Sequence, residues 1–165
     1  MPDETRLVVV NTTPIISLSL VSHLGLLRKL YQRVIIPPAV REEALRGGSS
    51  GVGVTELREA DWILTQRLHD PRRADLLSDL DRGEAEVLAL AQESQAGLVV
   101  IDERLARRHA QRLGIPLTGT LGVLLKAKQS GLLTEVKPLI EKIQQGGIRL
   151  GRLLIEQALK LAGED

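Results

Sequence analysis

Asn11, Glu43, Glu84 and Asp102 are the residues whose types and positions in this chain could do chemistry together. Each offers a side-chain oxygen from a different segment. Asn11 closes VVVN and Asp102 closes LVVID, runs of apolar β-formers that read as the carboxyl ends of buried strands. Open α/β sheets collect their ligands at such ends. Glu43, in PPAVREEALRG, and Glu84, in DRGEAEVLALA, fall on expected helices from which a carboxylate can face the same crevice. Acids gathered from distant segments repel one another unless a cation joins them. An all-oxygen set suits the hard cations magnesium and manganese, which activate water and neutralise charge on a phosphodiester in its transition state. Asn11 is the exception. Its amide oxygen can coordinate a cation, but it brings no charge and cannot act as a base.

Each of these residues also has a plainer reading. Asn11 suits the backbone of a strand-to-helix turn. Glu43, like neighbouring Glu42, suits a solvated helix face. Glu84 lies in a first helical turn, where the dipole favours acids, and Asp102 suits the N-cap of the next helix. Asp81, Glu86 and Glu103 read as solvated acids or as supports beside the site.

The elements that must position these groups alternate between strand and helix. Strands are expected at Leu7–Val10, Val34–Ile36, Trp62–Thr65, Leu98–Ile101 and Ile115–Thr118. Helices are expected at Ile15–Leu20 (with Thr13 as N-cap and Pro14 in the first turn), Leu24–Leu30, Ala39–Leu45, Ala74–Leu80, Gly83–Glu93, Glu103–Leu113, Leu121–Gln129, Val136–Ile143 and Leu150–Leu161. Gly114 reads as the residue that ends one of them. The GGSSGVG segment, Gly47–Gly53, reads as a flexible connection, because it lacks the spacing and the Lys-Ser/Thr of a phosphate loop. This alternation predicts a three-layer α/β/α sandwich around a central parallel sheet.

At 165 residues the chain is long enough for one domain with a substantial core. The absence of cysteine excludes disulfides and zinc–thiolate sites. A net charge of +1 means that any nucleic-acid contact needs a local basic patch. With no Phe, one Trp and one Tyr, an aromatic platform for stacking bases is not expected. MPDETR does not read as a secretory signal, and no apolar run approaches the roughly 20 residues of a membrane span. A cytoplasmic protein with no membrane role is expected.

The order of motifs resembles a PIN domain, the metal-dependent ribonuclease fold that includes many bacterial toxin nucleases. Asn11-Thr12-Thr13 stands where that family closes its first strand with Asp-Thr and a small residue. Glu43-Ala44-Leu45-Arg46-Gly47 resembles its E-L-x-x-G. The run Glu84-Ala85-Glu86-Val87-Leu88-Ala89-Leu90-Ala91 resembles its D-A-x-x-x-A-x-A, with Glu for Asp. Leu98-Val99-Val100-Ile101-Asp102 resembles its L-V-T-x-D. The resemblance runs over roughly residues 7 to 130, and GTLGVLLKAKQSGLL is similar to a little-characterised prokaryotic PIN-like subgroup. It implies metal binding by Asn11, Glu43, Glu84 and Asp102, with Glu43, Glu84 and Asp102 as catalytic acids and RNA as substrate. Thr12 would support a ligand or the attacking water. Asn11, where the family carries Asp, opens a second reading: a catalytically impaired module that binds RNA or a protein partner. A phosphoacceptor receiver with Asp102 at a strand end is a third, weakened by the lack of an adjacent acid pair.

Arg104, Arg107, Arg108 and Arg112 recur at helical spacing after Asp102 and could hold phosphates, with Lys126 and Lys128 as further members. A solvated helix face is the alternative. His109 sits among these arginines and could titrate, though a lone histidine more often serves structure, and His23 and His69 show no ligand spacing. The domain is expected over residues 1–145, with 146–165 forming an amphipathic helix that closes the core or packs on a second subunit. The resemblance implies a homodimer and, for a toxin, an antitoxin protein as partner.

Overall fold

The computed structural model describes residues 3–47 and 50–165. Gly48 and Ser49, in the segment expected to be a flexible connection, lie outside the described residues.

The strand β1 (Asp3–Val10) forms because Val8, Val9 and Val10 are β-branched and all completely buried. A strand buried on both faces must lie inside a sheet with helices above and below. Beside it run β2 (Tyr31–Ile36), β3 (Ile63–Thr65), β4 (Leu98–Val100) and β5 (Leu117–Thr118), all parallel, in the order β3-β2-β1-β4-β5. Val8 pairs with Val34 on one side and Leu98 on the other. The chain steps outward from β1 to β2 and β3, then returns to lay β4 on the opposite flank of β1. That reversal opens a crevice beyond the carboxyl ends of β1 and β4.

Right-handed crossovers assign the helices to the two faces. Helices α1 (Thr12–Leu20) and α2 (Leu26–Leu30) lie between β1 and β2, and α8 (Thr120–Gln129), which follows β5, packs against both. Helix α9 (Lys137–Gln145) rests on α1, and α10 (Arg152–Ala162) on α8. The opposite face carries α5 (Arg72–Asp75), α6 (Arg82–Ser94) and α7 (Arg104–Arg112), with α6 lying across β1 and β4. Helix α3 (Pro38–Arg46) touches both α1 and α6, and α4 (Val54–Glu59) packs beside it. These are the expected three layers.

Several local expectations change. Helix α1 begins at Thr12, so Asn11, not Thr13, occupies its N-cap position, and the Asn11 side chain makes no capping bond there. The stretch expected to be helical over Ala74–Leu80 closes after Asp75 and continues as tight turns, with Leu77 N–H on Ala74 and Leu80 N–H on Leu77. Its apolar residues fail to define one buried face, for Leu76 points to solvent. Helix α4 was not expected, since VTELRE buries only Leu57 and has too little periodicity to announce itself.

The C-terminus is clasped onto the domain. The Glu164 carboxylate accepts the N–H groups of Val136 (2.9 Å) and Lys137 (2.9 Å), which are free donors at the start of α9, and the Lys128 ammonium (2.9 Å). Lys128 also donates to the Ala162 carbonyl at the end of α10. Partial desolvation raises the Glu164 pKa, but the two backbone donors and the ammonium outweigh it and hold the carboxyl down to about 2. A depressed acid contributes stability that is complete above its ordinary pKa and lost as pH falls through the folded value. Glu164→Ala should therefore lower Tm by on the order of 3 °C at pH 7. The gap should hold down to about pH 5 and close as pH approaches 2, as read by thermal melts across pH.

Candidate functional site

The crevice is built by helix starts meeting strand ends. Asn11 follows β1 directly, and its backbone N–H bonds the Val100 carbonyl (3.0 Å), tying the ends of β1 and β4 together. It is 4% exposed, so its amide faces protein and not bulk water. On the next residue, the Thr12 hydroxyl donates to Glu43 Oε2 (3.0 Å), fixing the otherwise exposed Glu43 carboxylate of α3 over the crevice.

Opposite them, α6 starts at Asp81, whose Oδ1 accepts the Glu84 N–H (2.8 Å) as a proper N-cap. Gly83, in the first turn, lets this helix approach α3 closely. A Cβ there would lie 3.0 Å from Glu43 Oε2, 3.6 Å from Asp81 Oδ1 and 3.7 Å from Asn11 Oδ1. Three oxygens from three segments thus surround one point that glycine leaves open. Asp81, read from sequence as a supporting acid, is a full member of this group.

Glu84 is buried and carries the most perturbed acid of the site. Burial is the main cause, followed by its hydrogen bond to Asp81 and by the charges of Asp81 and Glu103, and together they push the Glu84 carboxyl up to about 8. Glu84 therefore keeps its proton at neutral pH and donates it to Asp81. A nearby positive charge would draw that proton off at neutral pH.

Asp102 stands two residues past β4 and is held from the far side. Its Oδ1 accepts the Thr120 backbone N–H (2.8 Å) and its Oδ2 the Thr120 hydroxyl (2.7 Å), at the start of α8. Glu103, and not Asp102, is the N-cap residue of α7. Arg107 reaches back from α7 to the Ile101 carbonyl (3.0 Å), which sets its guanidinium beside Asp102. Gly119 makes this possible, for a Cβ there would meet Asp102 Oδ1 at 2.6 Å and Arg107 Nη1 at 2.9 Å. Thr120 is the residue that sequence reasoning missed. The signal was a Gly-Thr step opening an apolar helix, but the partner lies eighteen residues away in the chain.

Asn11, Glu43 and Asp81 thus meet at Gly83, with Glu84 bonded to Asp81, whereas Asp102 is grouped with Thr120 and Arg107 at Gly119 and lines different voids. The site lies at a sheet's switch point, set among the starts of α1, α6, α7 and α8, whose dipoles favour negative charge. The chain matches the DUF3368 family model, a PIN domain, over residues 7–164. It belongs to the PIN-domain family. The matched region takes in α10, beyond residue 130, where the sequence resemblance ends. A PIN domain is a nuclease-type fold. No curated protein matches the chain.

The donors of this PIN domain fit a hard cation in kind, since the three atoms nearest the open point at Gly83 are all oxygens. No three acidic or histidine side chains lie within shared reach of one ion among the described residues. In number, the set leans on the Asn11 amide.

Other sequence candidates have different employment. Lys126 stacks over the Tyr31 ring (4.7 Å), and Lys128 belongs to the Glu164 clasp, so neither extends the basic stripe of α7. His109 pairs with Asp79 (2.9 Å). Glu86 accepts the Ala39 N–H (3.2 Å) and pairs with Arg82 (2.9 Å), anchoring α3 to α6.

The raised Glu84 pKa has a definite sign. An acid whose folded pKa is raised contributes stability below its ordinary pKa, near 4.5, and loses it as pH rises through about 8. Glu84→Gln, which mimics the protonated form, should match wild type below pH 4.5 in EDTA. It should then gain on it with rising pH, reaching on the order of 5 °C in Tm by pH 9. Thermal melts in chelator will show this, and a Tm gap that does not depend on pH would contradict it.

Proposed function

We propose that this PIN domain is a magnesium- or manganese-dependent ribonuclease, with Asn11, Glu43, Glu84 and Asp102 as the metal-binding set and Asp81 as an added oxygen beside it. The observation that carries the reading is Glu84, a buried acid that keeps its proton at neutral pH beside Asp81 and Glu103 and would give it up there to a positive charge entering the crevice. When bound, the cation would supply Lewis acidity and offset charge on a phosphodiester.

The chain's own residues have separable tasks. Thr12 holds Glu43, and Thr120 holds Asp102 by two bonds, so each of the two acids keeps a fixed position. Glu84 stores a proton at neutral pH and releases it when a positive charge arrives. Arg107 offers its remaining N–H groups to a phosphate next to Asp102, with Arg104 and Arg108 further along α7.

The reading extends to biology in three respects. A cytoplasmic setting and a homodimer are part of the proposal, as is the role of toxin paired with a neutralising protein. A small adjacent gene encoding a DNA-binding protein would be the sign of such a pair. No helix among the described residues is long and apolar enough to cross a membrane.

A second reading is favoured by Asn11 itself. An amide at the most buried of the four proposed ligands lowers the charge of the site and removes a possible base. It describes a silent PIN module that binds RNA or a protein without cutting.

Manganese titration by calorimetry separates the two. The nuclease reading expects saturable wild-type binding that weakens about tenfold or more in Asp102→Asn, tightens in Asn11→Asp, and accompanies chelator-sensitive cleavage of RNA. Binding confined to Asn11→Asp would mean a disarmed site and select the silent module. No binding in either would remove the metal site altogether.

A further inference from the structure

The segment that closes the chain forms the second wall of a groove that starts at Asp102. Two adjoining voids, of about 230 and 720 Å³, share Asp102, Arg107, Gly151, Leu154 and Gln157 in their walls and together form the channel. Its floor is the carboxyl end of the sheet, at Asp102 and Gly119. One wall is α7, with Arg104, Arg107 and Arg108, and the other is the segment from Arg149 to α10, with Arg149 and Arg152. Five arginines line the channel against a single acid, Asp102, in a chain whose net charge is only +1.

The geometry points to this groove as the seat of a single RNA strand, with Arg149 and Arg152 gripping phosphates across from Arg104 and Arg108 while Arg107 fixes the strand beside Asp102. This inference rests on the ribonuclease reading. Among the described residues, Arg104, Arg108 and Arg149 are in no ion pair. Arg152 meets only Glu156, on the exposed surface, where such a pair contributes little and yields to a phosphate. Guanidinium groups on facing walls suit a chain of phosphates, each able to take a bidentate pair.

The leucines of the same helix, Leu153 and Leu154, are 73% and 49% exposed, and a second copy of the chain is the competing occupant. A two-fold contact through this face would bring each arginine-lined wall against its own copy, like charge on like. A polyanion has no such conflict. With no aromatic side chain on the lining, affinity must come from phosphates more than from base stacking, so it should fall steeply with salt.

The test is fluorescence anisotropy of a labelled single-stranded RNA with the full-length protein in EDTA, over a range of salt, for wild type and the double variant Arg149→Glu/Arg152→Glu. Arg58→Glu, on α4, serves as a charge control, and thermal melts check the fold. The expected result is a rise in Kd of about tenfold or more for the double variant, a salt slope smaller by about 1.4 for the two lost phosphates, and no change for Arg58→Glu. Where the wild type cleaves with metal, KM should rise in the double variant while kcat holds.

Wild-type binding that the double variant reproduces, with the same salt slope, would overturn the groove and leave the ribonuclease reading standing. So would loss of self-association in Leu153→Glu with RNA affinity unchanged, which would give the face to a second copy. A wild type that binds no RNA would overturn the ribonuclease reading and the groove together.

Discussion

The parallel pairing of β1 with β2 on one side and β4 on the other is the interaction on which the rest of this molecule depends. It buries Val8, Val9 and Val10 completely, which forces helices onto both faces of the sheet. It also decides where the site falls. Because the strand order reverses at β1, the helices that follow β1 and β4 leave on opposite faces and their starts splay apart. The gap between them is the crevice, lined by the polar residues just past each strand, Asn11 and Asp102. The Asn11 N–H to Val100 bond is the last rung of this pairing, so the site begins where the ladder stops.

The crevice sets up a tension that the surrounding contacts manage. Acids placed near one another in a partly dry space lose hydration and gain repulsion. Each carboxylate here has a specific answer. Asp81 is satisfied by the α6 backbone, Asp102 by both donors of Thr120, and Glu43 by the Thr12 hydroxyl. Glu84 has no such donor and keeps its proton instead. Two glycines make the arrangement sterically possible: Gly83 lets α6 close on Glu43, and Gly119 lets α8 close on Asp102 and Arg107.

Much of this was legible in the residues, and the limits have physical causes. Apolar β-branched runs announce strands buried on both faces, and a polar residue at the end of such a run announces the crevice. That is why Asn11 and Asp102 stand out in the sequence itself. What escaped depends on how helices are docked. Helical period tells which residues share a face but not which element that face meets. Asp81 therefore read as a spare acid although it caps α6 and joins Asn11 and Glu43. Thr120 could not be matched to Asp102, because the match depends on α8 starting against the end of β4. Lys126 and Lys128 share the helical spacing of a basic patch, yet one rests on Tyr31 and the other closes the C-terminus. Only the docking of α10 onto α8 brings Arg149 and Arg152 to the mouth of a site more than forty residues upstream.

Asn11 can be understood within the same electrostatics. It is the least exposed oxygen of the cradle, and an acid at that point would be a further charge beside Glu43 and Asp81 in the driest part of the crevice. Glu84 shows what the crevice does to an acid without a dedicated donor, which is to neutralise it. An aspartate at position 11 would face the same choice: hold a proton, or hold a cation. Without the cation, asparagine at this position relieves the fold of a buried charge at no cost in shape, since the two side chains are nearly isosteric. The metal would feel the same substitution in reverse, because it loses one of the charges that offset its dehydration. Position 11 therefore sets the stability of the empty fold against the charge available to a bound ion, and Asn11 leans toward the former. If the chain is an enzyme, the attraction must come from Glu43, Glu84 and Asp102. Glu84 can contribute only after giving up its proton, so any metal affinity should climb with pH toward about 8.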